Sequence, residues 1–423
     1  MGSQDLNQAR FLWLICFTTT LGAIPAGRVG NTYIPLSWVF TCLYLFYTLF
    51  SGRGYLRIVK SWSHRFLIAY VFYCGMTLIL PYIAGIWDQV IRVFKGLLVL
   101  IGNVGIFIAI TINPSRLKVR YMIQGLLVGA VLNALYGIYQ YIGSFYQLPW
   151  VNLPTPMPIA DPMLLHRAQG FTSEPSVLVS LLIPGILLGL GWGERRWILL
   201  TVVMFVALIL TFSSGILFLG VACIVYFTVK VFNALTAGRI QCRVVRRMAL
   251  AAVVLLILGA LVALLAGLPV SERLRSIFTG ANPLAIENKA RLESILYSLR
   301  LWIEYPFGVG YNMGPTIMER FGYSPNIHSV FSGILLETGL VGLFLYSMFV
   351  ISSIYPLLRK GTTILDNMLG VAGVTSLLYS FATGTSSPFQ MALWGISTVV
   401  GAGYYRRSVS TGLRRETNAC PSL

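Results

Sequence analysis

The sequence predicts an all-α integral membrane protein, and three observations carry that prediction. Of 423 residues, 57% are hydrophobic and only 10% are charged. Apolar runs of helical length recur along the whole chain, and mean hydropathy is +0.77. The basic residues behind a net charge of +18 gather in every second gap between those runs. A chain this apolar is stable where lipid replaces water, and long apolar runs there satisfy their own backbone as helices. Charge confined to short loops argues for a polytopic topology and against nucleic acid as a partner.

Taken in order, the runs lie at about 11–27, 34–50, 66–86, 93–112, 119–142, 175–191, 197–211, 214–231, 247–267, 329–354, 365–383 and 387–404. They predict about twelve transmembrane helices in a single polytopic domain, 1–423. The first run is short and broken by Pro25, and the seventh and eighth meet at Thr211-Phe212-Ser213-Ser214 with almost no loop. No basic region precedes the first run and no small-residue cleavage site follows it, so this span is expected to stay.

Charge placement sets the orientation. Arg53, Arg57, Lys60 and Arg65 share one gap, Arg116 and Lys118 another, and Arg195 with Arg196 a third. Lys230, Arg239, Arg243 and Arg246, then Arg359 with Lys360, then the tail continue the pattern. The positive-inside rule makes these gaps cytoplasmic, with both termini inside. The opposite face then carries two long segments, 143–174 and 268–328. The first is rich in Pro and aromatic residues, and the second is predicted to hold an amphipathic surface helix from about Leu284 to Glu304. Cys16, Cys42, Cys74 and Cys223 lie within apolar runs, Cys242 in a basic loop and Cys420 in the tail. Neither a disulfide framework nor a metal site is expected from that placement.

Several cations break the topology rule: Arg28, Arg92, Lys95, Arg167, Arg273, Arg275, Lys289, Arg291, Arg300 and Arg320. Positive charge on the outer side opposes insertion, so another benefit should retain it. The planar fork of arginine suits pyrophosphate, and a lipid-linked anionic head group is the expected ligand. Solvated charge or phospholipid contact is the better account of Arg28, Arg273 and Arg275, and an equally good one for Arg92 and Lys95. Arg92 and Lys95 sit one turn apart at the start of the fourth span. Arg291, Ser294 and Ser298 fall at i, i+3 and i+7, which predicts one helical face offering a cation and two hydroxyls to a ligand. Arg300 and Glu304 also read as a simple i,i+4 brace. His328, at the membrane boundary on the same side, is a candidate general base near neutral pH. Glu174, opening a span at Glu174-Pro175, is the alternative base. Glu337 is expensive in lipid and is expected to face protein or water. No Walker A pattern, dinucleotide fingerprint, His-Glu-x-x-His or Asp pair is present, so no cofactor, nucleotide or metal is expected.

These residues resemble a known family. Arg167-Ala-Gln-Gly-Phe-Thr-Ser-Glu174-Pro175 resembles the Arg-x-x-Gly…Glu-Pro element of O-antigen polymerases. Arg291…Trp302…Pro306-Phe-Gly308-Val-Gly310, Asn326-Ile-His328 and Leu336-Glu337-Thr-Gly339 are similar to the signature of the O-antigen ligase/polymerase superfamily. The resemblance implies a GT-C-like membrane glycosyltransferase in the bacterial inner membrane, working on its periplasmic face. Its substrate would be oligosaccharide carried on undecaprenyl pyrophosphate, with a chain-length regulator or a lipid A-core acceptor as further partner. A polymerase passes the growing glycan to the next lipid-linked repeat unit, making O-antigen or exopolysaccharide; a ligase passes it to lipid A-core. The Glu-Pro element and Ser329, where many relatives carry Asn, lean the reading towards polymerase.

On that reading Arg291 and Arg167 hold the pyrophosphate, with Arg92, Lys95 and Arg300 as helpers. His328 or Glu174 removes the proton of the acceptor hydroxyl, and direct displacement inverts the anomeric carbon. A transporter or flippase of a lipid-linked anion is the alternative of another class. Against it stand the sparse charge in mid-span and the lack of matching halves with broken spans.

Overall fold

The computed structural model describes residues 3–21, 24–29, 32–51, 57–86, 89–146, 148–149, 168–172, 174–211, 283–360, 363–380 and 387–403. The expected spans 214–231 and 247–267, most of segment 143–174 and the first part of 268–328 lie outside the described residues.

The described residues form helices apart from one small hairpin. In chain order they are α1 (Ser3–Thr20), β1 (Pro25–Val29), β2 (Thr32–Pro35), α2 (Leu36–Phe50) and α3 (Trp62–Met76). A 3-10 turn (Thr77–Ile79) leads into α4 (Leu80–Ile83), followed by α5 (Val90–Thr111), α6 (Arg116–Tyr146), α7 (Pro175–Trp192) and α8 (Arg195–Leu210). Beyond the undescribed stretch come α9 (Pro283–Glu304), α10 (Gly314–Arg320), α11 (Val330–Lys360), α12 (Ile364–Ser380) and α13 (Pro388–Gly401). Among the described residues, five helices are long and apolar enough to cross a membrane: Trp62–Ile83, Val90–Thr111, Arg116–Tyr146, Pro175–Trp192 and Val330–Arg359. Leu36–Phe50 and Ile364–Ser380 are apolar but shorter.

The expected span 11–27 is corrected at its end. Helix α1 stops at Thr20, and Pro25 opens an antiparallel hairpin that pairs Arg28 with Tyr33. The hydroxyls of Thr18, Thr19 and Thr20 donate to carbonyls of the preceding turn, and Pro25 has no N–H with which to continue.

Small residues set how closely the helices approach. Along α6, Gly125 and Gly129 face α1; a Cβ at Gly125 would lie 2.5 Å from the Trp13 carbonyl, and one at Gly129 would overlap Thr20. Helix pairs in lipid gain little from hydrophobicity and depend on such close approach. The central core is aromatic: Phe349 and Trp394 meet edge to face at 5.7 Å, and Phe107 joins Phe349 at 5.2 Å. A second, smaller core at one end joins Val93 of α5, Leu301 of α9, Val309, Met313, Ile317 and Leu336.

Hydrogen bonds between elements define the two ends of the bundle. At one end buried Lys118 donates to Gln8 Oε1 (2.6 Å) and Asn113 O (2.9 Å), with Asp5 at 3.8 Å. His64, at the start of α3, meets Thr111, at the end of α5, at 2.8 Å. Glu194, between α7 and α8, pairs with Arg196 (2.6 Å) and Arg120 (3.4 Å). At the other end Tyr311 N donates to Thr77 Oγ1 (3.1 Å) and Asn312 Nδ2 to Arg92 O (2.9 Å). Helix α11 leaves this second end at Val330; α12 returns to it, where Tyr379 donates its hydroxyl to Ser176 O. Arg92, Lys95, Glu174 and His328 therefore share one end of the bundle, and Lys118, Arg120, Arg195 and Arg196 share the other.

Candidate functional site

The site is built on α9. Ser294, Ser298 and Leu301 are buried on one face, while Leu292, Leu296, Leu299 and Ile303 are exposed on another, a 3.6-residue stripe that makes the helix amphipathic. Half-buried Arg291 stands one turn before Ser294. The Ser294 hydroxyl donates to Asn326 O (2.9 Å) and receives the His328 amide (3.3 Å), while Ser298 donates to Ser294 O (2.8 Å). The sequence pattern suggested that both hydroxyls face a ligand. Instead both are turned into the protein: Ser294 fastens the 326–328 segment to the helix, and Ser298 bonds back to the preceding turn of the helix itself. The consequence is the juxtaposition that matters: Arg291 and half-buried His328 are carried by the same two turns of α9. Ser329 then caps α11, its hydroxyl accepting the Ser332 amide at 3.4 Å.

The Pro306-Phe-Gly308-Val-Gly310 and Leu336-Glu337-Thr-Gly339 motifs interlock. Gly339 (φ 65°, ψ −168°) breaks α11, which frees the carbonyls of the preceding turn. Leu336 O accepts from Val309 N (3.0 Å) and Glu337 O from Gly310 N (2.9 Å). Unsatisfied carbonyls at this depth are costly, so the pairing replaces the helical bonds that the break removes. Gly308 (φ 91°) has no room for a Cβ against Glu337 O, and a Cβ on Gly339 would lie 2.7 Å from Pro306 O. Glu337 faces protein, as its position demands: Oε1 accepts the Gly314 amide at 3.3 Å. Beside this knot Tyr297 and Tyr323 stack at 4.0 Å, and Tyr311 is tied to Thr77 with its phenol pushed well above its ordinary range by burial.

The remaining cations divide. Arg92 donates to Thr316 Oγ1 (2.8 Å) from the same end of α5 whose Gly96 seats Asn312. Arg320 donates to Gly85 O (2.8 Å) and Ala84 O (3.4 Å), where it caps the end of α4. Lys95 and Arg300 are exposed. Among the described residues no ion pair joins Arg300 to Glu304, so that i,i+4 brace does not form. Arg167, Arg273 and Arg275 lie outside the described residues.

Glu174 is exposed at the start of α7 and accepts from Ser176 Oγ (2.9 Å). The segment leading to it is held by two amides of α6 that the sequence reading passed over. Gln140 Oε1 accepts from Gly170 N (2.8 Å) and Gln169 N (3.2 Å), and its Nε2 donates to Gly170 O (3.2 Å). Asn133 Oδ1 accepts from Phe171 N (2.9 Å), and its Nδ2 donates to Thr20 O (3.0 Å) and Gly129 O (2.9 Å). Phe171 stacks flat on Tyr136 at 4.2 Å. The signal was available: two carboxamides at i and i+7 in an apolar span must find partners. Among the described residues no contact joins Glu174 to His328, although both stand at one end of the bundle. No group of three or more His, Cys, Asp or Glu gathers among them either.

A comparison with curated proteins finds no match. A comparison with protein families finds one: residues 199–347 match the family described as O-antigen ligase. The match takes in Arg291, the interlocked 308–310 and 336–339 segments and His328. That match supports the resemblance to the O-antigen ligase/polymerase superfamily.

Proposed function

We propose that this chain is a glycosyltransferase of the periplasmic face of the bacterial inner membrane. It polymerises oligosaccharide repeat units carried on undecaprenyl pyrophosphate, of O-antigen or exopolysaccharide type, without metal or nucleotide. The orientation rests on the charge at the Lys118 end, which is cytoplasmic by the positive-inside rule and leaves the His328 end outside. The observation that supports this reading is the Ser294–His328 bond, which fastens the backbone of a candidate base to the helix that carries a candidate phosphate-binding arginine.

In the reaction, an acceptor sugar hydroxyl attacks the anomeric carbon of the donor. The new C–O bond forms as the bond to pyrophosphate breaks, its electron pair leaving with the pyrophosphate oxygen. Arg291, with Arg92, Lys95 and Arg300 around the same end and Arg167 as a further cation proposed from the sequence motif, neutralises that developing charge, often a large part of catalysis. His328 takes the hydroxyl proton; Glu174 is the alternative. Attack opposite the leaving group inverts the anomeric carbon.

The test is transfer by purified protein in nanodiscs with a polyprenyl-pyrophosphate-linked repeat unit, EDTA and no nucleotide. A ladder of products supports polymerisation, and His328→Gln and Arg291→Gln should each slow it by about a hundredfold or more. Wild-type rates in Arg291→Gln would remove the pyrophosphate role. The description of the matched family favours a second reading, ligase. In that case no ladder forms, and transfer appears once lipid A-core is supplied.

A further inference from the structure

A cleft of about 250 Å³ lies between α1 and α6, lined by Arg10, Trp13 and Leu14 from the first helix and Tyr121 and Gln124 from the second. It belongs to the Lys118 end of the bundle, since Tyr121 follows Lys118 by one turn, and it plays no part in the site described above. Its lining follows from helical periodicity: residues 10, 13 and 14 share one face, and 121 and 124 another.

The chemistry of the lining is one-sided. Arg10 is exposed, while Trp13, Tyr121 and Gln124 are half-buried. The cleft presents a guanidinium, an indole N–H, a phenol and a carboxamide, and none of these groups has a hydrogen-bond partner among the described residues. No carboxylate lines the cleft. The acid nearest in sequence on α1, Asp5, lies 3.8 Å from Lys118. These groups are open at the cleft rather than buried, so their donors are available to a ligand rich in acceptors. Trp13 stacks on Phe17 at 5.1 Å, and with Leu14 it supplies an apolar wall beside the donors.

We propose that this cleft binds one anionic phospholipid. The phosphodiester sits on Arg10 and Tyr121, an ester carbonyl accepts from Gln124, and an acyl chain runs along Trp13 and Leu14. An anionic head group fits better than a zwitterionic one, because an ammonium group would find no carboxylate. With the positive-inside orientation the lipid belongs to the cytoplasmic leaflet. The proposal is independent of the glycosyltransferase reading.

The experiment is native mass spectrometry of the full chain released from nanodiscs of equal phosphatidylglycerol and phosphatidylethanolamine. Wild-type protein should retain one phosphatidylglycerol in preference to phosphatidylethanolamine. Arg10→Gln and Tyr121→Phe should each reduce that retention about tenfold, the loss expected for one charge-assisted or buried hydrogen bond. Arg57→Gln, an exposed cation at the same end, should leave it unchanged. Melting temperatures in lipid-free detergent, equal for wild type and Arg10→Gln, show that the variant is folded. Equal retention of the two lipids, or wild-type retention in folded Arg10→Gln, overturns the proposal.

Discussion

The backbone amide of His328 donates to the hydroxyl of Ser294, so the main chain at the histidine is fastened to a helix that precedes it in sequence and carries Arg291.

Ser294→Ala is the direct probe of that dependence. It removes two bonds and leaves Asn326 O and His328 N to find new partners, a loss of about 1–3 kcal/mol. Transfer should fall further, by about tenfold to a hundredfold, because small misplacements of reacting groups are amplified in rate. Thermal melts and transfer rates measured together check this; equal proportional losses in both would reduce Ser294 to a structural residue.

The glycines of the knot should differ from a glycine elsewhere with the same backbone. Gly308 and Gly322 both have positive φ, but a Cβ at Gly322 meets nothing within 4 Å. Gly322→Ala should cost about 1 kcal/mol from conformation alone. Gly308→Ala must also displace the Glu337 backbone, and its melting temperature should drop by several-fold more. Equal drops would show that the motif asks only for a permissive backbone.

Gln140→Leu keeps the side chain's volume and removes three hydrogen bonds to residues 169 and 170. The amides of Gln169 and Gly170 should then exchange with solvent at least about tenfold faster, as expected for a loss of more than 1.4 kcal/mol in local opening. Hydrogen-exchange mass spectrometry of that peptide reads the effect. Unchanged exchange would show that Phe171 and Asn133 hold the segment by themselves.

Acid should weaken the opposite end of the bundle. The Trp192 indole and then Arg196 hold the Glu194 carboxyl below its ordinary value of 4.5. Its pKa is lower folded than unfolded, so its contribution is present above the unfolded value and disappears as pH falls through the folded one. Melting curves of wild type and Glu194→Gln should differ at neutral pH and converge below that window. A constant difference across it would assign the effect to packing.

Much of the fold was legible from hydropathy, because spans of lipid-crossing length announce themselves. The expected run 93–112 is α5 at Val90–Thr111, and 175–191 is α7 at Pro175–Trp192. What could not be read was the use of polar groups. The spacing of Ser294 and Ser298 gives a shared face but not what covers it. The two glycine motifs were visible as strings, yet their pairing is between backbone atoms and leaves no residue code. The hairpin that pairs Arg28 with Tyr33 fills the gap between the first two runs, and hydropathy marks such a gap without showing that its backbone pairs. Asn133 and Gln140 were visible as polar residues in an apolar span, and their importance lay in partners many residues away.

The break at Gly339 also bears on how the protein is assembled in the membrane. A helix entering lipid normally carries all its own bonds; α11 enters with two carbonyls, of Leu336 and Glu337, whose partners lie in the preceding loop. The loop must therefore be in position as α11 inserts, and neither becomes stable alone. Residues 305–338 form one cooperative unit of biogenesis, in which a lesion in the loop is felt as a failure of the helix to integrate.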